Sequence, residues 1–401
     1  MSLNDTPRAN RLHIAFFGRR NSGKSSLINA VTGHNVALVS DVAGTTTDPV
    51  YKTMEISGIG ACVLIDTAGF DDEGGLGRMR VEKTLDVVQK TDIAVFVFSG
   101  DDLTEEKRWI SLLKENKIPI VGVLNKSDIL NDTSTLVRRI EKECGISPIV
   151  VSAATGAGIS DIREKLTEVL PEDFESPDIT AGFCKNGDKV MLVMPQDIQA
   201  PKGRLILPQV QTLRNLLDKK CVITCVTTDM FENALEKTGV PDLIITDSQV
   251  FKTVYEKKPE KSRLTSFSVL FAGYKGDIAE FVRGASAIGR LNENSRVLIA
   301  EACTHAPLAE DIGREKIPRM LRQRFGQGLK VDIVSGSDFP EDLSGYDIVI
   351  HCGGCMFNRK YVLSRIKKAC TAGVPITNYG VAIAFLSGIL DKIDTGVKFD
   401  G

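Results

Sequence analysis

Histidine is scarce, with four residues in a chain of 401. Neither sign of charge is in excess: 50 Lys and Arg stand against 52 Asp and Glu, for a net charge of −2. Such a balance creates no global field to draw in nucleic acid or a membrane surface, so neither is expected as a partner. No run approaches the ~18 apolar residues that a membrane span needs. The opening stretch "MSLNDTPRANRLHIAFFGRR" has no apolar core ahead of a cleavage site, so no signal peptide is expected and a cytoplasmic location follows. Short internal repeats and low-complexity tracts are also missing. Cysteine is plentiful, but the nine residues lack the spacing of a small secreted disulfide framework and are expected as thiols, ligands or redox groups. Six of them, Cys62, Cys144, Cys184, Cys221, Cys225 and Cys370, lie in apolar strand or helix patterns and are expected as small core residues. The other three, Cys303, Cys352 and Cys355, stand beside His305 and His351, half of all the histidines.

What is present is ordinary for a soluble globular protein, at 42% hydrophobic and 25% charged residues. The length exceeds that of one domain. Short apolar runs such as "LHIAFF", "ACVLID", "DIAVFVF" and "IPIVGVLN" alternate with helix-like patterns up to a Pro- and acid-rich stretch ending at 178. "KVMLVMP", "CVITCVT" and "DLIITD" then alternate with "LPQVQTLRNLLDK" and "MFENALEKTG", up to the charged linker "YEKKPEKSR". Beyond it, "RVLIAEA", "KVDIVSG", "DIVIHCGG" and "VPITNYG" read as strands and "RKYVLSRIKKACTAG" as a helix. Strand–helix alternation of this kind predicts an α/β protein of three successive units with mainly parallel sheets, at 1–172, 180–260 and 265–401.

The first unit carries a nucleotide site. "GRRNSGKSS" sets Gly18, Gly23, Lys24 and Ser25 in the phosphate-loop pattern, after a strand and before a helix. Asn21, Ser22 and Ser26 complete that loop. Its backbone N–H groups and the helix amino terminus converge on phosphates. Lys24 reaches the outer phosphates and the Ser25 hydroxyl ligates Mg2+. "DTAG" ends a strand, so that Asp66 can hold Mg2+ through water and Gly69 N–H can reach the γ-phosphate. In "NKSD", Asn125 and Lys126 precede Asp128, whose carboxylate can accept from guanine N1–H and the exocyclic amine. Adenine lacks that amine, so GTP and GDP are expected and ATP is not. "SAA", Ser152, Ala153 and Ala154, offers backbone N–H to the guanine carbonyl. These four motifs resemble the translation-factor-like GTPases and imply a P-loop GTPase domain over 1–172.

"DVAGTTTDP" at 41–49, taken with Asn21, resembles the tRNA-modification and Era/Der-type GTPases. That group holds K+ against the phosphates through an asparagine at the Asn21 position, supplying the charge that an arginine finger supplies elsewhere. Thr46 is the expected Mg2+-ligating switch residue, with Thr45 and Thr47 as rivals. Phe70 follows Gly69 where Ras-like enzymes carry a glutamine. Slow hydrolysis of GTP, accelerated by K+, with Lys24, Thr46, Asp66 and Gly69 as the catalytic set, is the expectation.

The third unit raises a different chemistry. "CTH", Cys303–His305, follows one strand, and "HCGGC", His351–Cys355, follows another. If the two strands are parallel neighbours, both clusters lie at their carboxyl ends, where open α/β sheets bind ligands. Incidental thiols in a Gly-rich turn, a C-x-x-C redox pair and a metal centre compete, and spacing alone does not separate zinc from a 4Fe–4S cluster.

Over nearly its full length the chain resembles the maturation GTPases of iron–iron hydrogenases. The signature of that family is C-x-H, a spacer, then H-C-x-x-C, and "LTSFSVLFAGYKGD" and "LGRMRVEKT" also resemble it. The resemblance implies a dimerisation domain at 180–260, hence a homodimer, and an iron–sulfur domain at 265–401. It further implies a 4Fe–4S cluster on Cys303, Cys352 and Cys355, with His351, His305, a carboxylate such as Glu301 or Asp311, or solvent in the fourth position. The role implied is a scaffold that receives a di-iron precursor, with radical-SAM maturases upstream and apo-hydrogenase as acceptor. The alternative of a different class is a K+-dependent, RNA- or ribosome-associated GTPase with a structural zinc domain.

Overall fold

Strands buried on both faces of a parallel sheet read as unbroken apolar runs, and "IAVFVF" is one, with all six residues buried. In the computed structural model, which describes residues 11–32, 49–56, 59–70, 83–170, 178–195, 205–301, 312–336, 338–354 and 357–397, it is a central strand of the first of three sheets. Two compact units divide the chain, 1–176 and 177–401.

The first unit holds β1 (Leu12–Gly18), β2 (Val50–Ile56), β3 (Gly60–Asp66), β4 (Ile93–Phe98), β5 (Ile120–Leu124) and β6 (Ile149–Val150). Their order is β2-β3-β1-β4-β5-β6, with only β2 antiparallel. The strand β2 escapes the sequence reading because its first residues, Tyr51, Lys52 and Thr53, face solvent and leave no apolar run. Phe16 and Leu27 lie in the core on one sheet face, and Phe17 and Trp109 in the core on the other. The chain leaves β1 between β3 and β4, the switch point at which open α/β sheets bind ligands.

The second unit holds two all-parallel four-stranded sheets. One comprises β7 (Lys189–Val193), β8 (Val222–Val226), β9 (Leu243–Thr246) and β10 (Arg263–Ser266), in the order β10-β9-β7-β8. The other comprises β11 (Arg296–Glu301), β12 (Lys330–Ser335), β13 (Ile348–His351) and β14 (Ile376–Asn378), in the order β12-β11-β13-β14. One hydrophobic core runs continuously under both sheets, from Ile179 to Ile393. The link is the helix Phe267–Lys275, inside the "LTSFSVLFAGYKGD" stretch. It packs on the helix Leu207–Asp218 beside the first sheet and on the helices Arg359–Thr371 and Tyr379–Leu386 beside the second. Apolar nearly all round, the helix Tyr379–Leu386 buries Val381, Ala382, Ile383 and Ala384, as a helix of that pattern must.

Cys62, Cys144, Cys184 and Cys221 are buried as expected. Cys225 and Cys370 are not: both are exposed. Cys225 lies on the edge strand β8, only partly covered along its length, and Cys370 in the last turn of the helix Arg359–Thr371. No helix among the described residues is long and apolar enough to cross a membrane.

Candidate functional site

The phosphate loop starts where β1 ends at Gly18 and closes where the helix Lys24–Thr32 begins. Asn21 and Gly23 take positive φ of 57° and 91°, which turns the chain tightly around the position of the phosphates. A Cβ on Gly23 would stand 2.3 Å from Asn125 Nδ2, so only glycine fits. Lys24 Nζ folds over the loop and donates to the carbonyls of Gly18 (2.9 Å) and Arg19 (2.8 Å). Ser26 follows Ser25 in the first turn of the helix.

Ser25 Oγ donates to Asp66 Oδ2 at 2.5 Å. Asp66 is buried, and its Oδ1 has no partner among the described residues. Burial raises the Asp66 pKa, against the Ser25 hydrogen bond and the Lys24 charge. A hydroxyl beside a buried carboxylate with an orphaned oxygen suits a hydrated divalent cation, so these residues fit Mg2+. Gly69 brings the "DTAG" turn against the loop: a Cβ there would lie 2.5 Å from Arg20 N. Phe70 is buried, stacked on Trp109 with ring centroids 5.5 Å apart and next to Phe96 at 5.9 Å. It is an anchor of the core and cannot orient water. Thr45 and Thr46, with the rest of the 41–48 segment, lie outside the described residues.

The base pocket is organised from two strand ends. Asn125, after β5, donates through Nδ2 to Ser22 O (3.0 Å) and accepts at Oδ1 from Ala153 N (3.1 Å). One buried amide thus ties the phosphate loop to the "SAA" turn, whose Ala154 is exposed. Lys126 adopts φ of 63°. Asp128 Oδ1 accepts from Ser152 Oγ at 2.6 Å, which orients the carboxylate.

One contact at this site has no motif to announce it. Arg19, inside the phosphate loop, clamps Glu106 through Nε–Oε1 (2.7 Å) and Nη2–Oε2 (3.1 Å), and reaches Asp102 at 2.8 Å. The Glu106 hydrogen bond is the main reason that the Arg19 pKa is raised. The clamp fastens the loop to the helix Thr104–Glu115.

At the other site, β11 and β13 are parallel neighbours, with Ala300 opposite His351 and Cys352 N donating to Ala300 O at 2.9 Å. The chain therefore leaves both strands at one sheet edge. Cys352 is half-buried there. Cys303, His305, Asp311 and Cys355 lie outside the described residues; among those described, no three His, Cys, Asp or Glu side chains converge as a metal site. Glu301 accepts at Oε2 from Arg314 Nη2 (2.9 Å) and Ser335 Oγ (3.0 Å). His351 is fully buried as the last residue of β13. Its Nδ1 lies 2.6 Å from Cys352 O and its Nε2 lies 3.1 Å from Arg365 Nη1. A carbonyl only accepts and a guanidinium only donates, so the proton is on Nδ1 and the Nε2 lone pair faces Arg365. Burial, then the Arg365 charge, push the His351 pKa down to about 3, so the ring is neutral.

Three family models match the chain. One described as a 50S ribosome-binding GTPase matches residues 13–126. One described as a hydrogen maturase F dimerization domain matches 179–276, and one described as a hydrogen maturase F tetramerization domain matches 279–394. The last two together span more than half the chain. Among curated proteins, the tRNA modification GTPase MnmE of Endomicrobium trichonymphae is 36% identical over 165 residues, covering 39% of this chain and 35% of its own. The GTPase Der of Kosmotoga olearia is 34% identical over 168 residues, covering 39% and 38%. The chain thus spans little more than a third of the length of these relatives. Among solved structures, a variant of Era from Aquifex aeolicus with GDP and aluminium fluoride is similar at 19% identity and a TM-score of 0.37, covering 54% of this chain and 92% of that one.

Proposed function

The chain belongs to the hydrogen maturase F family and carries a GTPase domain, and from this premise we propose that it hydrolyses GTP and serves as a 4Fe–4S scaffold in hydrogenase maturation. It holds the di-iron precursor of the hydrogenase active site and delivers it to apo iron–iron hydrogenase, with radical-SAM maturases upstream. The observation that carries the scaffold reading is the pairing of β11 with β13, Ala300 opposite His351. That pairing starts the C-x-H and H-C-x-x-C segments from one sheet edge, as a shared centre on Cys303, Cys352 and Cys355 requires. When bound, the cluster supplies an iron site with an exchangeable position.

In the nucleotide site, Lys24 exchanges the Gly18 and Arg19 carbonyls for the outer phosphates. Ser25, Asp66 and Thr46 hold Mg2+, and Gly69 N–H meets the γ-phosphate. Asp128 selects guanine. Asn21 holds K+, which takes the place of an arginine finger; Phe70, packed into the core, does not itself orient water. Hydrolysis is therefore expected to be faster in K+ than in Na+ at equal ionic strength, and equal rates would remove the K+ assignment.

Self-association belongs to the second unit. Of the ten large apolar side chains exposed among the described residues, Leu205, Leu217, Val222, Met230 and Val240 lie in one stretch around the edge strand β8, inside the match to the dimerization domain. We assign the homodimer contact to that edge. Anaerobic reconstitution tests the scaffold role. The native chain should take up iron and sulfide and activate apo-hydrogenase, and Cys352→Ala should do neither. Zinc uptake with no iron would overturn the reading.

A further inference from the structure

Cys184 and Cys221 stand just ahead of two neighbouring strands. β7 begins at Lys189 and β8 at Val222, and these two residues are opposite each other in the parallel register. The turns that lead into the strands are tied together: Val222 N donates to Asp188 O at 2.9 Å and Gly187 N to Lys219 O at 3.2 Å. The two cysteine side chains, far apart in the chain, thereby come into hydrogen-bonding contact with each other. Their surroundings are polar for a core. Cys184 Sγ donates to Thr180 Oγ1 at 3.3 Å and Cys221 Sγ to Lys185 O at 3.5 Å. Lys219, ion-paired with Asp178 at 2.6 Å, brings Nζ to 4.0 Å from Cys184 Sγ. Both cysteines are free thiols and each is 8% exposed, nearly covered yet open to a molecule of a few atoms. A single thiol among apolar side chains is inert packing. Two facing sulfurs beside an ammonium group are the arrangement of a dithiol that can close.

We propose that Cys184 and Cys221 are a redox-active pair, which a peroxide converts to a disulfide and a thiol reductant reopens. The inference is independent of the iron–sulfur reading. Burial, then the neighbouring Cys184, push the Cys221 thiol up from its ordinary value, so Cys221 keeps its proton and serves as the resolving thiol. The Cys184 sulfur, facing Lys219, reacts first. As thiolate it attacks one peroxide oxygen; the O–O bond breaks, and the departing hydroxide takes up the thiol proton as water. The Cys184 sulfenic acid then meets Cys221: the S–S bond forms, the S–O bond breaks, and the hydroxyl leaves with the Cys221 proton as a second water. Two electrons have passed from the sulfurs to the peroxide. The β7–β8 register already holds the sulfurs together, so closure outpaces further oxidation of Cys184 to the sulfinic acid. The bond fastens the segment 178–184, at the start of the second unit, to the start of β8, the edge that carries the proposed homodimer contact.

The experiment uses the full-length chain, reduced, freed of reductant under anaerobic conditions and treated with a small excess of hydrogen peroxide. Remaining thiols are alkylated and the chain is digested for mass spectrometry. In the native chain the peptides that carry Cys184 and Cys221 should appear joined, lighter by two hydrogens than their sum. Their separately alkylated forms should be lost, and dithiothreitol should restore them. Cys225 lies close to Cys221 in the sequence and is exposed, so the link should persist in Cys225→Ala and disappear in Cys221→Ala. Cys184 recovered as an alkylated thiol from the treated native chain, or as sulfinic acid without the link, or joined to a cysteine other than Cys221, would overturn the inference. Where Cys221→Ala does not fold, the maps of the native chain and of Cys225→Ala decide by themselves.

Discussion

Asp128 shows how much one side chain decides. Its carboxylate is oriented by the Ser152 hydroxyl and offers only acceptors, which is what the guanine N1–H and amine demand. Asp128→Asn puts a donor where an acceptor belongs. GTP affinity should fall by about 10–100-fold, since a hydrogen bond to a charged group is worth about 1.5–3 kcal/mol. A xanthosine nucleotide, with a carbonyl in place of the amine, should bind the variant better than GTP does; competition against a fluorescent nucleotide measures both. Lys24, Ser25, Asp66 and Asp128 were legible in the letters as candidates because the chemistry needs those groups at those spacings, and the structure brings Ser25 against Asp66 and Ser152 against Asp128. Phe70 was legible only as a missing glutamine. Its stacking on Trp109 depends on a residue far along the chain, and no local pattern reveals it.

At the scale of elements, function rests on how strand ends are tied together. The phosphate loop is fixed on one side by the helix Lys24–Thr32 and on the other by the clamp from Arg19 to Glu106. Glu106 is nearly buried, with its side chain 4% exposed, so removing Arg19 leaves a carboxylate without its main partner. Arg19→Ala should lose about 2 kcal/mol of stability, read by urea unfolding, and should weaken nucleotide binding several-fold through the loosened loop. The edge strand β8 is only partly covered along its length. Val222, at its start, is 58% exposed. Charge on an edge strand blocks pairing with another chain, so Val222→Glu should shift the protein to a smaller species in sedimentation, with its circular dichroism unchanged.

For the whole molecule, each described hydrophobic core lies within one unit: two in the first, flanking its sheet, and one in the second. A ligand stabilises only the structure that binds it, by about 2.7 kcal/mol at one hundred times its Kd. Calorimetry should therefore resolve two transitions, and GTP with Mg2+ should raise only the one that belongs to the first unit. A single transition that moves as a whole would contradict this. The second unit, by contrast, should melt as one, because the helix Phe267–Lys275 packs against both of its sheets.

The sequence by itself determined the α/β class and the phosphate loop, because each depends on residue type and local order. Parallel strands need apolar runs and crossovers, and phosphate needs a glycine loop ahead of a helix; both are written along the chain. What tertiary structure decided are matters of long-range contact. It laid one hydrophobic core under both sheets of the second unit, exposed Cys225 and Cys370, clamped Arg19 onto Glu106, and set Arg365 against His351 from an element that carries no part of the motif. Register made β11 and β13 neighbours, with Ala300 opposite His351. No letter in either strand specifies that, because pairing across a sheet is chosen by how whole faces pack and not by the residues next in line.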